Sequence, residues 1–244
     1  MTSSGFVRGF GALALAVSAI ASHAAPTVYF GENQSPSFTV SGAPATARSS
    51  FLGNLSGVKT ETFESFALNS TAPIVLSFTG SNATTLGATL SGTGAIANSN
   101  TAGRWNTSPG GSKWWDVSGS FNIAFNTAIS AFGFYGTDIG DFNGQVTLAL
   151  TDEAGGVTNL TVNNTVNGRD GSLLFWGFTD TGKKYTNIAF GNTGTAGSDF
   201  FGFDDMVIGD LGQITTPTPG LPEPGTLALV GLSLVGLAAV RRKA

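Results

Sequence analysis

Carboxylates are the main acid-base groups this chain has to work with. Its one histidine, His23, sits in the N-terminal leader-like stretch, and there is no cysteine anywhere. Ser-His-Asp and Cys-His nucleophiles, histidine acid-base work and His- or Cys-zinc sites are therefore excluded from a chain that loses that leader. Two acidic motifs stand inside apolar stretches, where a charge is costly unless something compensates it. The first is Phe63-Glu64-Ser65-Phe66, and the second runs from Asp199 through Asp204 and Asp205 to Ile208. In a strand successive side chains alternate, so Asp204 and Asp205 should face opposite ways, one of them inward or toward an edge. Glu64 with Asp204 or Asp205, and Asp199 as a further ligand, could gather a hard cation. Calcium is the expected ion where oxygen ligands replace histidine. The alternative is that Glu64 and one aspartate are solvated or pair with Lys59, Lys183 or Lys184. A third group, Asp138, Asp141 and Asn143 among Gly136, Gly140 and Gly144, reads as a tight turn capped by local hydrogen bonds.

Aromatic residues supply the other chemistry. Trp105, Trp114, Trp115 and Trp176 are the chain's four tryptophans. An exposed indole offers a large rigid surface on which a sugar ring can stack. Trp114 and Trp115 are adjacent, so in a strand one packs inward while the other is free, and this pair is the candidate sugar-binding site. Structural packing is the competing role for each.

The elements that must hold these residues are strands. With 35 glycines, 19 phenylalanines and 11% charged residues, the chain reads as many short strands joined by tight turns. Phe121, Ile123 and Phe125 share one face by alternation, as do Val146, Leu148 and Leu150. Ile74–Phe78, 88–90, 131–135, 160–162, 173–178, 186–190 and 201–208 add further strands, roughly ten in all. The residues 43–55 predict the one short helix, and 98–112 a long loop. Turn signals every 8 to 15 residues or so favour an antiparallel β-sandwich of jelly-roll type over a parallel sheet with helical crossovers.

Both ends call for export. Arg8, the apolar run 11–21 and the small-x-small site Ser22-His23-Ala24 make residues 1–24 a signal peptide, cut after Ala24. The β-sandwich domain then spans 25–214 and a stiff Thr/Pro spacer 215–221. Residues 222–244 combine Pro222-Glu223-Pro224, an uncharged apolar run from Leu227 to Val240, and Arg241, Arg242 and Lys243. The run is somewhat short of the roughly 20 residues that span a bilayer, but snorkelling cations extend its reach and belong on the cytoplasmic side. Between Pro26 and Thr216 stand 14 acidic and 7 basic residues, which disfavours nucleic acid as a partner.

That tail resembles the PEP-CTERM sorting signal of exopolysaccharide-producing Gram-negative bacteria, in which an exosortase cuts a temporary membrane anchor near the Pro-Glu-Pro. The resemblance implies a protein held first at the inner membrane by its C-terminal helix and then placed at the cell surface or in the extracellular matrix. Extracellular polysaccharide is its implied associate. Residues 60–64, 132–141 and 203–206 are similar to signatures of a recurrent ectodomain type in that family, which brings no established activity. The acidic motifs also resemble jelly-roll adhesion and carbohydrate-binding modules, where a Glu of the first strand and an Asp of the last meet at calcium. On this reading the protein is not an enzyme. A carboxylate-dependent polysaccharide-degrading enzyme and an ice-binding protein are the alternatives; for the first no catalytic pair stands out, and for the second regular Thr-x-Thr ladders are absent.

Overall fold

The alternation that marks the strands sorts them into two antiparallel sheets in a computed structural model, which describes residues 25–100, 102–118, 120–140, 142–194 and 200–215. The strands in chain order are β1 (Thr27–Asn33), β2 (Thr60–Glu61), β3 (Ile74–Thr79), β4 (Thr85–Gly92), β5 (Ala95–Ala97), β6 (Trp114–Ser118), β7 (Phe121–Ile129), β8 (Ala131–Thr137), β9 (Val146–Asp152), β10 (Val157–Thr161), β11 (Leu173–Thr179), β12 (Tyr185–Asn192) and β13 (Phe200–Gly209). The helix α1 spans Gly42–Gly53. One sheet runs β1-β11-β8-β13-β6-β5, with β2 paired to β13, and the other β10-β9-β12-β7-β4-β3. From β7 onward the chain crosses between the sheets at nearly every connection, which makes the sandwich one of jelly-roll type. Thirteen strands stand among the described residues where the sequence suggested roughly ten. The additions include the short β5, and β1, which pairs with β11 along its whole length. Of the early strand expected over 60–66 only β2 forms, and residues 63–66, with Glu64 among them, make a turn in which Phe63 takes φ +57°.

The six-stranded sheet keeps the expected one-sided pattern. In β7, Phe121, Ile123 and Phe125 point into the sandwich while Asn122, Ala124 and Asn126 face out. Strand β3, an edge strand, buries Ile74, Leu76 and Phe78 only, and Val75 is 70% exposed, so it is half-buried rather than a fully buried strand. The residues facing out along the paired registers of β3, β4, β7, β12, β9 and β10 are small or uncharged: Val75, Thr89, Ala124, Asn187, Thr151 and Val157 form one row.

The central strands of the other sheet are covered on both faces. Strands β8 and β11 are buried at every residue, because α1 lies across their outer side. Phe51 and Ala47 of the helix meet Tyr135, Leu173, Phe175 and Val207 in a second apolar cluster. That double burial explains why Ala131–Tyr135 and Leu173–Phe178 are continuous apolar runs. The helix can approach only where the strand lacks a side chain. A Cβ at Gly31 would collide with the backbone of Ala43 and Pro44, and one at Gly133 would come within 2.9 Å of the Phe51 ring.

Between the sheets the core is dominated by phenylalanine. Phe203 stacks on Phe134 at 4.7 Å between centroids and meets Phe121 at 5.7 Å and Phe190 at 5.9 Å. With no cysteine to form a disulfide, this burial has to supply most of the stability. Among the described residues no helix is long and apolar enough to cross a membrane; the expected anchor helix and signal peptide lie outside them.

Candidate functional site

The loop from Arg104 to Lys113 gathers the carboxylates that the sequence singled out. Asp204 Oδ2 accepts hydrogen bonds from Thr107 N–H at 2.8 Å, Thr107 Oγ1 at 2.9 Å and Asn106 Nδ2 at 3.2 Å. Its Oδ1 accepts the Asp205 N–H at 2.8 Å. Asp205 Oδ1 accepts the Ser108 hydroxyl at 2.5 Å, so both aspartates face the same loop. The expected opposition of Asp204 and Asp205 is thereby corrected. Strand β13 shifts register against β8 between Asp204, opposite Tyr135, and Val207, opposite Gly133. Three steps on one strand match two on the other, which is a β-bulge, and Asp205 takes φ +50° to make it. Neither aspartate points into the sandwich. Phe203 and Met206 do, on either side of the pair.

Glu64 comes to the same loop from the other side. Its Oε1 accepts the backbone N–H of Ser112 at 2.6 Å and of Lys113 at 2.7 Å, and Asn106 Nδ2 at 3.3 Å. Lys113 Nζ donates to the carbonyls of Glu64 at 2.8 Å and Phe66 at 2.7 Å. Asn106 is therefore the link between Glu64 and Asp204, and a third acceptor, Lys113 C=O, takes its amide at 2.8 Å. Arg48 of α1 approaches Asp205 Oδ2 at 4.0 Å and lies 5.6 Å from the Tyr135 ring centre.

Electrostatics follow from burial. Desolvation, and after it the neighbouring Asp205 carboxylate, push Asp204 well above the usual carboxylate range, against the pull of the Thr107 and Asp205 donors. Burial likewise raises Asp205, opposed by Ser108 and Arg48. The Tyr135 hydroxyl is pushed up to about 12, again by burial first.

This arrangement is a structural tie rather than an open site. Asp204 has no exposed surface and Asp205 is 4% exposed, so neither meets a polymer. Calcium, the ion expected at this set, would have to compete with these bonds. Among the described residues no three of the ligand-type side chains are grouped to hold a metal ion. Both Asp204 oxygens and Glu64 Oε1 are already met by N–H and O–H donors, which a cation would have to displace. Asp199, the fourth expected ligand, lies outside the described residues, as does Asp141. Asp138 acts as a turn residue at φ +65° whose Oδ1 accepts Gly171 N–H at 3.0 Å, as its glycine-rich setting implied.

The tryptophan pair is also corrected. Trp114 and Trp115 are 1% and 0% exposed. Trp115 packs inside the sandwich, and the Trp114 indole lies over Gly202, where a Cβ would come within 3.1 Å of its Cδ1. Neither offers a surface to a sugar, and Trp105 and Trp176 are buried too. Among the described residues the exposed aromatic rings are Phe38 at 56% and Phe200 at 49%, residues that the reading for tryptophan passed over. A phenylalanine among 19 carries no composition signal; Pro36-Ser37-Phe38, a turn-like tripeptide after a strand, is the one local cue.

Comparison with known proteins addresses the tail. Residues 221–243 match the PEP-CTERM protein-sorting motif. The chain carries a PEP-CTERM signal. That motif implies exosortase-dependent export with processing at a membrane, and its residues Pro222, Glu223, Pro224, Arg241 and Arg242 lie outside the described residues. No curated protein matches the PEP-CTERM chain. Among solved structures, the K2 cleaved adhesin domain of Lys-gingipain aligns at 17% identity over 63% of this chain and 98% of its own, with a TM-score of 0.36. The xylan-binding domain from CBM 22 aligns at 13% identity over 65% of this chain and 98% of its own, with a TM-score of 0.38. Scores at this level carry no inference about ligand.

Proposed function

We propose that this protein is an exported, non-catalytic β-sandwich displayed at the cell surface or in the extracellular matrix, where it associates with polysaccharide. The observation that carries the proposal is the PEP-CTERM match at residues 221–243, with the cationic end Arg241-Arg242-Lys243 after an apolar run. The non-catalytic reading is supported by the state of the carboxylates. Glu64 Oε1 is tied to two backbone N–H groups, and Asp204 is enclosed, so Asp204 cannot meet a substrate as a general acid or base and Glu64 is held in a structural role.

Exosortase is the proposed processing partner, and the Pro-Glu-Pro is the part of the tail it would read. In cells that make the enzyme, a chain carrying both Pro222→Ala and Glu223→Ala is expected to accumulate uncut in the inner membrane. The unaltered chain should pass to the surface or the medium. Fractionation followed by immunoblotting reads the difference, and equal release of the two chains would rule out sorting through this motif.

A further inference from the structure

We propose that the cleft between the turn after β1 and the segment leading into β11 binds a pyranose ring of a neutral polysaccharide, with Phe38 as the stacking platform. The cleft has a volume of about 360 Å³ and is lined by Gln34, Ser35, Phe38, Arg169, Asp170 and Gly171 among others. That volume lies within the range of small-ligand sites, near its lower end, and suits a single sugar of a longer chain. The inference rests on the reading of the protein as polysaccharide-associated and gives that reading a site.

The turn holds its aromatic ring against the ordinary preference of the backbone. Thr39 N–H donates to Pro36 C=O at 3.1 Å, and Ser37 and Phe38 have φ of +52° and +54°. Positive φ at both central positions is the mark of a type I′ turn, whose central positions favour Asn and Gly. A bulky residue there is an outlier, and such strain persists only where something else sets the residue. Burial does not set it, since Phe38 is more than half exposed. Its ring is instead steadied from one side: it stands edge-on to Trp105 at 5.9 Å and 89°. Trp105 in turn donates its Nε1–H to Gly171 C=O at 3.3 Å. By contrast, the other exposed ring, Phe200, lies under the Arg104 guanidinium at 5.4 Å.

Polar groups that pair with sugar hydroxyls surround the ring. Gln34 Oε1 accepts Arg169 N–H at 2.8 Å, which fixes the amide, while Gln34 Nε2 has no acceptor among the described residues. That nitrogen is enclosed, so the part the amide plays is to hold the Arg169 backbone at the rim. Arg169 Nη1 donates to Ser35 Oγ at 3.1 Å, and that bond uses one of the five donors of the guanidinium. Asp170 is exposed beside it and supplies acceptors. One cation and one anion at the rim cancel, so the complementary ligand is uncharged and rich in hydroxyls.

The test uses the full chain in a detergent without a sugar headgroup, applied to an array carrying neutral glycans and uronic-acid glycans. Retention on neutral glycans is expected, about tenfold weaker in Phe38→Gly and kept in Phe38→Trp. Glycine suits φ +54°, so Phe38→Gly should not lower the melting temperature, which separates loss of the platform from loss of the fold. Three results would overturn the site. Equal retention of Phe38→Gly would put polysaccharide contact elsewhere on the protein. Retention on uronic-acid glycans alone would refute a neutral ligand. No retention at all would refute the cleft while leaving export, which is read from the cut tail, standing.

Discussion

Phe203→Ala is expected to cost about 3–5 kcal/mol of folding free energy, the range for truncating a buried aromatic ring. The residue has no exposed surface and stands where the two sheets meet. Besides Phe134, Phe121 and Phe190, its ring reaches Phe63 at 6.3 Å and Phe132 at 6.4 Å. Those neighbours come from the turn before β3 and from β7, β8 and β12. A cavity at that point would remove contacts from both sheets at once, and packed β-strands relax little to refill it. Domains are stable by about 5–15 kcal/mol in total, so the loss should be plain in denaturant unfolding followed by tryptophan fluorescence. All four indoles are buried and will report the transition. A shift below about 1 kcal/mol would mean that the inter-sheet core is not what holds the sandwich.

The second large effect is on pH dependence. Asp204, Asp205, Glu61 and Asp116 all have carboxyl groups raised above the ordinary range, each with burial as the first cause. A carboxyl whose folded pKa is raised binds its proton more readily in the folded state than in the unfolded one. Its contribution to stability is full below the ordinary carboxylate pKa and is lost as pH rises through the folded value. The protein is therefore expected to become more stable as pH falls from 7 toward 5. The slope can reach about 1.4 kcal/mol per pH unit for each proton taken up on folding. Asp152 shifts the opposite way, held down first by its hydrogen bond from Lys183. Its loss falls at and below the ordinary carboxylate pKa, outside that window.

Asp204→Asn should flatten the slope. The asparagine oxygen can stand where Oδ2 accepts Asn106 and Thr107, but its amide would then face the Asp205 N–H that Oδ1 now accepts. Melting temperatures across pH 5–7 for the two chains measure the effect. A steady loss of stability on acidification, or identical slopes, would show that Asp204 is ionised and comfortable in its loop.

The residues divide clearly into those whose setting is local and those whose setting is not. Alternation in 121–125 and 146–150 placed β7 and β9 because a single covered face is written into period 2. The helix at 43–55 was legible in its extent but not in its face: spacing put Ala45, Arg48, Phe51, Leu52 and Leu55 on one side, whereas Pro44, Ala47 and Phe51 are the residues the helix buries. What covers the outer face of β8 and β11 was not legible. Their runs are apolar throughout, and only the three-dimensional path of α1 says why. The bulge at Asp204 and Asp205 was hidden too, because an extra residue exists only relative to the neighbouring strand. Glu64 and Asp204 were paired by analogy, and the structure does join them, through Asn106. Trp114 and Trp115 misled because neighbouring side chains on opposite faces suggest one free face. This sheet has none at β6: both indoles are enclosed.

Mass spectrometry of the protein recovered intact from the surface or medium of producing cells tests the central claim most directly, because it reads both ends of one molecule. The account predicts a chain that starts at Ala25 and stops near Pro222-Glu223-Pro224, without Arg241, Arg242 and Lys243. A surface or secreted chain still running from Met1 to Ala244 would contradict it.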